Sequence, residues 1–244
     1  MDGPAFAVAQ NAVWAGVVLA ICVGFYWFAF ASGRYRIRTV RVEGAVVLDE
    51  DEIVARSEIT DEDSIFLVNS ASIAGRIAEM PRVGWCRVTR VFPETVEIAV
   101  GERVAVATLL VNNRSFEVDR ECHVLAELGV HEEPVGPFVT DTTDKATVAP
   151  GDQLAGRPVA EAVAVWEAFR HTAMAREVTV SEISARSNSR VCMYCDEVGC
   201  EIRWGHGDLD QQAWKLNLFW RSQNGGIPYK HYVDLRFGED VVCQ

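Results

Sequence analysis

The chain has 244 residues, 49% hydrophobic and 24% charged, with a formal net charge of −12. Every Lys and Arg, and every acidic residue except Asp2, lies after Gly33, so the polar part is acidic and as a whole a poor polyanion binder, which weighs against a nucleic-acid function. Seven cysteines, an odd number and unevenly spaced, do not form the dense framework of a small secreted scaffold.

Gly3 to Gly33 carries no Asp, Glu, Lys or Arg. Its densest part, Ala12 to Ala31, covers about 30 Å as a helix, the thickness of bilayer hydrocarbon. The expected organisation is a short tail over 1–11 and one transmembrane helix over 12–33. Ala29-Phe30-Ala31 has the small-x-small look of a signal cleavage site. A retained anchor is favoured, because no basic residue precedes the run and it exceeds the roughly 7–15 apolar residues of a signal peptide. Trp14, Tyr26 and Trp27 fall towards its ends, where amphipathic rings favour the interface. Arg34, Arg36, Arg38 and Arg41 flank its C-terminal side, which by the positive-inside rule alone would put the remainder in the cytoplasm.

The next segment predicts strand, helix, helix, strand, strand. Val40 and Val42 alternate with polar neighbours up to Gly44. Asp49 and Glu52 have capping-box spacing before a short helix through Ser57, with Ile53 and Val54 inward. Asn69 or Ser70 caps a second helix with Ile73, Ala74, Ile77 and Ala78 on one face, ended by Met80-Pro81. Trp85 to Phe92 is a strand, Pro93-Glu94 turns the chain, and Val96, Ile98 and Val100 alternate in the return strand.

Residues 104–244 predict a mostly antiparallel β domain with two helices. Val104–Val111 and Ser115–Leu125 flank a hairpin at Asn112-Asn113-Arg114. Residues 129–157 lack periodicity and read as a loop. Pro158 opens a helix with Val159, Val163, Trp166 and Phe169 at helical spacing. Strands follow over Glu177–Ile183, Arg190–Cys195 and Cys200–Trp204, the last two joined by a turn at Asp196–Gly199. Asp208 with Gln211 caps a helix whose face is Leu209, Ala213, Leu216 and Trp220. Tyr229, His231, Val233, Leu235 and Phe237 alternate in a final strand.

In this order the chain resembles a known family. The segments "IRTVRVEGAVVLDEDEI" and "RVFPETVEIAVGERVAVA", followed by "FEVDRECHVL", "WKLNLFW" and "YVDLRF", are similar to the bacterial cell-division family FtsQ/DivIB. The first two segments match its polypeptide-transport-associated (POTRA) domain, here residues 34–103. Cys122 and His123 depart from the glycine of the family's first hairpin. Residues 129–157 and the late cysteines have no family counterpart.

The resemblance implies an α+β protein: one transmembrane helix, a βααββ POTRA domain, then the β domain. It implies a non-enzymatic bitopic scaffold in the cytoplasmic (inner) membrane at the division site. The N-terminus is cytoplasmic and the domains lie outside, a topology that overrides the arginine count. Early and late divisome proteins would be linked and septal peptidoglycan synthesis regulated through protein contacts. The implied partners are an FtsB/FtsL-like coiled-coil pair at the last strand and the septal synthase complex.

An exposed late strand can accept a partner strand through its free backbone groups. Tyr232, Phe237, Gly238 and Val241 surround that place, whereas Val233 and Leu235 read as core. In the POTRA segment Arg90 and Phe92 are a weaker contact candidate, with Phe92 expected to pack on the two helices. Asp234 and Arg236 share a strand face, as an ion pair or turned to a partner.

Two rival readings remain. One is a POTRA scaffold of envelope transport or assembly. The other is a metal- or thiol-binding envelope protein, because Cys192, Cys195, Cys200 and His206 have zinc-ligand spacing. Against the latter, positions three apart in a strand face opposite sides, and the turn would set Cys195 opposite Cys200. No phosphate loop, nucleophile elbow or H-E-x-x-H motif is present, so no enzyme and no cofactor is expected.

Overall fold

The computed structural model describes residues 4–28, 33–140, 147–154, 158–187, 190–228 and 231–244. They form two compact units: Met1–Glu79 with Val83–Glu102, and Met80–Arg82 with Arg103–Gln244.

The first unit opens with helix α1 (Pro4–Tyr26). It starts at Pro4 and not near residue 12, which corrects the expected tail over 1–11; a proline fits a first helical turn, and nothing from Ala5 to Asn11 breaks a helix. Residues 29–32 of the expected span lie outside the described residues. The large apolar side chains described here, among them Trp14, Leu19, Ile21, Phe25 and Trp27, are exposed. Among the described residues, no helix is long and apolar enough to cross a membrane.

The rest of this unit is β1 (Thr39–Glu43), α2 (Glu50–Ser57), α3 (Ser70–Ala78), β2 (Val83–Val91) and β3 (Thr95–Glu102), with sheet order β1-β3-β2. β3 runs parallel to β1 and antiparallel to β2. The alternation in β3 buries Val96, Ile98 and Val100 against Ile53, Ile73 and Ile77 of the two helices. Asp49 caps α2 by accepting from the Asp51 N–H, and Asn69 caps α3 by accepting from Ala71 and Ser72. Gly44 has φ of +88°, and a Cβ there would lie 2.2 Å from the Val100 carbonyl oxygen. That close approach explains the glycine after the first strand. The Glu102 carboxylate then accepts from the N–H groups of Val46, Val47 and Leu48 at 2.8–3.1 Å, pinning the connection into α2.

The second unit contains β4 (Ala105–Val111), β5 (Arg114–Asp119), β6 (Val124–Leu128), β7 (Phe138–Thr140), α4 (Pro158–Phe169), β8 (Val180–Ser187), β9 (Arg190–Cys195), β10 (Val198–Trp204), α5 (Leu209–Ser222), β11 (Tyr232–Asp234) and β12 (Val242–Cys243). One sheet joins all nine strands in the order β12-β11-β10-β9-β8-β7-β4-β5-β6. The β4–β7, β7–β8 and β10–β11 pairs are parallel and the rest antiparallel. α4 packs across β4, β7, β8 and β9 and beside α5. The core beneath holds Leu109, Phe116, Ile183, Phe169, Trp204 and Leu216.

Two expectations are corrected here. The strand over Ser115–Leu125 is two strands, because the Asp119 carboxylate accepts from the N–H groups of Glu121 (2.9 Å) and His123 (2.8 Å) and closes a turn. The loop over 129–157 contains β7, the strand that joins the two halves of the sheet. Gly136, with φ of +61° and no room for a Cβ beside the Val106 carbonyl, lets the chain come against β4. Thr108, fully buried, fastens it: its hydroxyl donates to the Val135 carbonyl and accepts from the Val135 N–H, both at 2.9 Å.

The two ends of the sheet differ. At the start of β6, Val124 exchanges backbone bonds with Asp152 and Gly151, and Leu154 N–H reaches the Cys122 carbonyl. β12, at the other end, is two residues long.

Candidate functional site

The C-terminal end of the sheet is built from β10, β11, β12 and α5. Val233 and Leu235 are buried on the core side, as their alternation predicts. The expected final strand is shorter than its pattern: β11 stops at Asp234, with one further bond from Leu235 N–H to the Arg203 carbonyl. Tyr229 of that pattern lies outside the described residues. The chain then turns and returns as β12, so β11 is flanked on both sides and the edge position belongs to β12. Tyr232 and Gln244 exchange both backbone bonds, at 3.3 and 3.1 Å. In an antiparallel ladder such pairs alternate with non-bonded ones. The N–H and C=O of Cys243, opposite Val233, therefore point away from β11 to the open edge.

Asp234 and Arg236 organise the turn. Asp234 is 2% exposed and takes a bidentate grip from Arg236, Nε to Oδ1 at 2.9 Å and Nη2 to Oδ2 at 2.6 Å. Burial opposes ionisation of this carboxyl, but the Arg236 side-chain and backbone bonds prevail and hold it below the usual carboxylate range. Lys215, on α5 and 5% exposed, reaches under the turn; its Nζ donates to the carbonyls of Leu235 (2.8 Å) and Gly238 (2.6 Å).

The four expected edge residues fall into different settings. Tyr232 is half-buried, with the Arg203 guanidinium 3.8 Å above its ring centroid. Phe237 is 52% exposed at the turn. Gly238 has φ of +42° and supplies a carbonyl to Lys215. Val241 is partly buried against the core. Lys215 and Cys243 were not anticipated as part of this site; the Lys-Leu spacing within "WKLNLFW" is the signal that points to the lysine.

In the first unit, Arg90 and Phe92 sit exposed at the end of β2. Phe92 does not pack on the helices as expected. Its ring lies 5.3 Å from that of Phe66, which lies 5.0 Å from Tyr35.

The cysteine set does not converge. Cys192 pairs with Arg203 and Cys195 with Val198, and an irregularity between Val198 and Ile202 moves Cys195 out of register with Cys200. Cys192, Cys195 and Cys200 are all buried, and His206 faces Glu161 at 3.7 Å. The cysteines are unbonded. Burial, with Glu197 and Asp196 nearby, pushes the Cys195 thiol up to about 12, away from thiolate chemistry. Among the described residues the metal-ligating groups that do cluster are Asp119, Glu121 and His123. Arg103 already fills that place, donating to Asp119 at 2.8 Å and Glu121 at 3.2 Å.

Comparison with known proteins agrees with this layout. Residues 35–103 match the family described as POTRA domain, FtsQ-type. The chain is 22% identical over 229 residues to cell division protein FtsQ of Syntrophotalea carbinolica, covering 94% of this chain and 80% of the relative. It is 27% identical over 235 residues to cell division protein FtsQ of Rhodothermus marinus, covering 93% and 83%. A shorter match to FtsQ of Caulobacter vibrioides reaches 30% over 110 residues, 45% of this chain and 36% of the relative. The resemblance read from the sequence motifs is borne out along most of the chain.

Proposed function

We propose that this chain, with its FtsQ-type POTRA domain, is a non-enzymatic scaffold of the bacterial division machinery. The uncharged apolar segment over 12–33, only partly within α1, holds it in the cytoplasmic membrane with the N-terminus inside, and the POTRA and β domains work outside at the division site. Support for the anchor is the absence of charge from Gly3 to Gly33 and the exposed apolar side chains of α1. Early and late divisome proteins meet on it, and septal peptidoglycan synthesis is regulated through those contacts.

The observation that carries the partner reading is the open edge of β12. Its outward N–H and C=O groups offer a template for strand addition from an FtsB/FtsL-like coiled-coil pair. Two residues give few backbone bonds, so side chains must add affinity and selection. Phe237 stands exposed beside the edge, and Val242 is 38% exposed on the edge strand itself. Aromatic side chains in such positions anchor interfaces.

Phe237→Glu tests this reading, since a half-exposed side chain can be changed without loss of fold. The full-length variant should keep the wild-type melting curve and lose capture of the FtsB-like partner. A photo-crosslinker at Val242 in living cells should capture that partner. Equal capture by folded variant and wild type would refute the assignment.

A further inference from the structure

The first unit carries a chain of aromatic rings that its core does not use. It starts where α1 ends: Phe28 meets Tyr35 edge-to-face at 5.9 Å, Tyr35 meets Phe66 at 5.0 Å, and Phe66 meets Phe92 at 5.3 Å. Leu67 is 72% exposed beside them, and Phe92 55%. Four exposed arginines, Arg34, Arg36, Arg38 and Arg90, lie close to Tyr35 and Phe92 in the sequence. Arg90 donates to the backbone carbonyls of Ile65 and Phe66 at 3.4 Å, which ties its side chain to the segment that carries Phe66. Nearby acids are partly engaged: Asp63 accepts from Thr60, and Glu94 pairs with Arg38 at 3.4 Å.

We propose that the aromatic end of the POTRA domain, Phe66, Leu67 and Phe92 with Arg34, Arg36 and Arg90, docks on the anionic phospholipid surface beside the anchor. The inference rests on the apolar segment over 12–33 being that anchor. Two arguments select a bilayer over a protein as occupant. The rings continue without a break from Phe28 at the end of the uncharged helix, so they lie where headgroups begin. Exposed aromatic side chains with exposed arginines near them in the sequence suit that interface, since amphipathic rings settle at headgroup depth and arginine is attracted to anionic lipid. Docking would fix the domain on the membrane.

The test uses the full chain in nanodiscs of phosphatidylcholine, with or without phosphatidylglycerol, and in detergent. Amide exchange over residues 64–68 and 90–94 is followed, with residues 115–128 as internal control. Attraction of the arginines to an anionic surface predicts at least about tenfold slower exchange in the anionic bilayer than in detergent. Leu67→Glu and Phe92→Glu, separately and together, should abolish the slowing while the control segment is unchanged. Equal rates in detergent and in both bilayers, or slowing that survives both substitutions, overturns the docking. Alkaline extraction of the vesicle-reconstituted chain separates the two readings. A chain that resists alkali but shows no slowing loses the docking alone, and a chain released by alkali loses the anchor and the docking with it.

Discussion

Lys215→Met removes the cation beneath the C-terminal turn while keeping most of the side chain's apolar length. Lys215 is buried and donates to two carbonyls of that turn at 2.8 and 2.6 Å, with a longer 3.4 Å approach to the Asp240 carbonyl. A bond from a charged donor contributes roughly 1.5–3 kcal/mol, and two in one network do not add fully. Methionine recovers part of the loss, since burying an ammonium is itself costly. The expected net destabilisation is about 2–4 kcal/mol, concentrated in residues 235–244. Exchange of the amides in that segment should rise by one to three decades, at about 1.4 kcal/mol per decade, with the POTRA amides unaffected. Under the proposed function, capture of the strand-adding partner should weaken as well, because the competent edge is then populated only part of the time. Unchanged exchange over 235–244 would refute the claim that this lysine holds the edge.

Other outcomes follow from the same geometry. The folded pKa of Asp234 is depressed, so its stabilising contribution is present above the unfolded carboxylate value near 4 and is lost as pH falls through the folded value. Arg236→Met should therefore lower stability at neutral pH and flatten the loss between pH 4 and more acid conditions, read by urea unfolding as a function of pH. Glu102→Ala removes the acceptor for three N–H groups and should cost about 1–2 kcal/mol, seen as a lower unfolding midpoint of the POTRA unit. Gly136→Ala meets both a left-handed backbone and the Val106 carbonyl, and should cost more than about 1 kcal/mol, with faster exchange in β7 and β4.

The POTRA segment was legible because its signals are local and mutually consistent. Val96, Ile98 and Val100 alternate, Asn69 precedes an apolar helical face, and Gly44 follows a strand. Asp208 likewise announced α5, accepting from the Gln211 N–H at 2.9 Å. What escaped were features made by distant pairing. β7 is three residues long and owes its place to Thr108 and Gly136, far from it in the sequence or outside its pattern. The turn at Asp119–His123 depends on a side-chain carboxylate, and hydrophobic residues on both sides disguise it as one strand. At the candidate site, Phe237 and Val241 could be pointed to by position, but β12 could not. Two residues carry no periodicity, and the strand exists because Tyr232 finds Gln244. The buried state of Asp234 was missed for a related reason, since alternation says nothing about Arg236 folding back over it.

The unequal margins of the nine-stranded sheet bear on how such a protein avoids joining itself. The first part of β6 is already overlaid by residues 151–154, and Glu127 further along is clasped by Arg114. The opposite border, β12, carries no further strand among the described residues and is brief. Two copies laid border to border could offer one another only a pair of residues, too little to hold against dilution without added side-chain contacts. A sheet hemmed on one flank can be lengthened from the other by a single foreign strand and then stops. That geometry favours a one-to-one complex over a fibre.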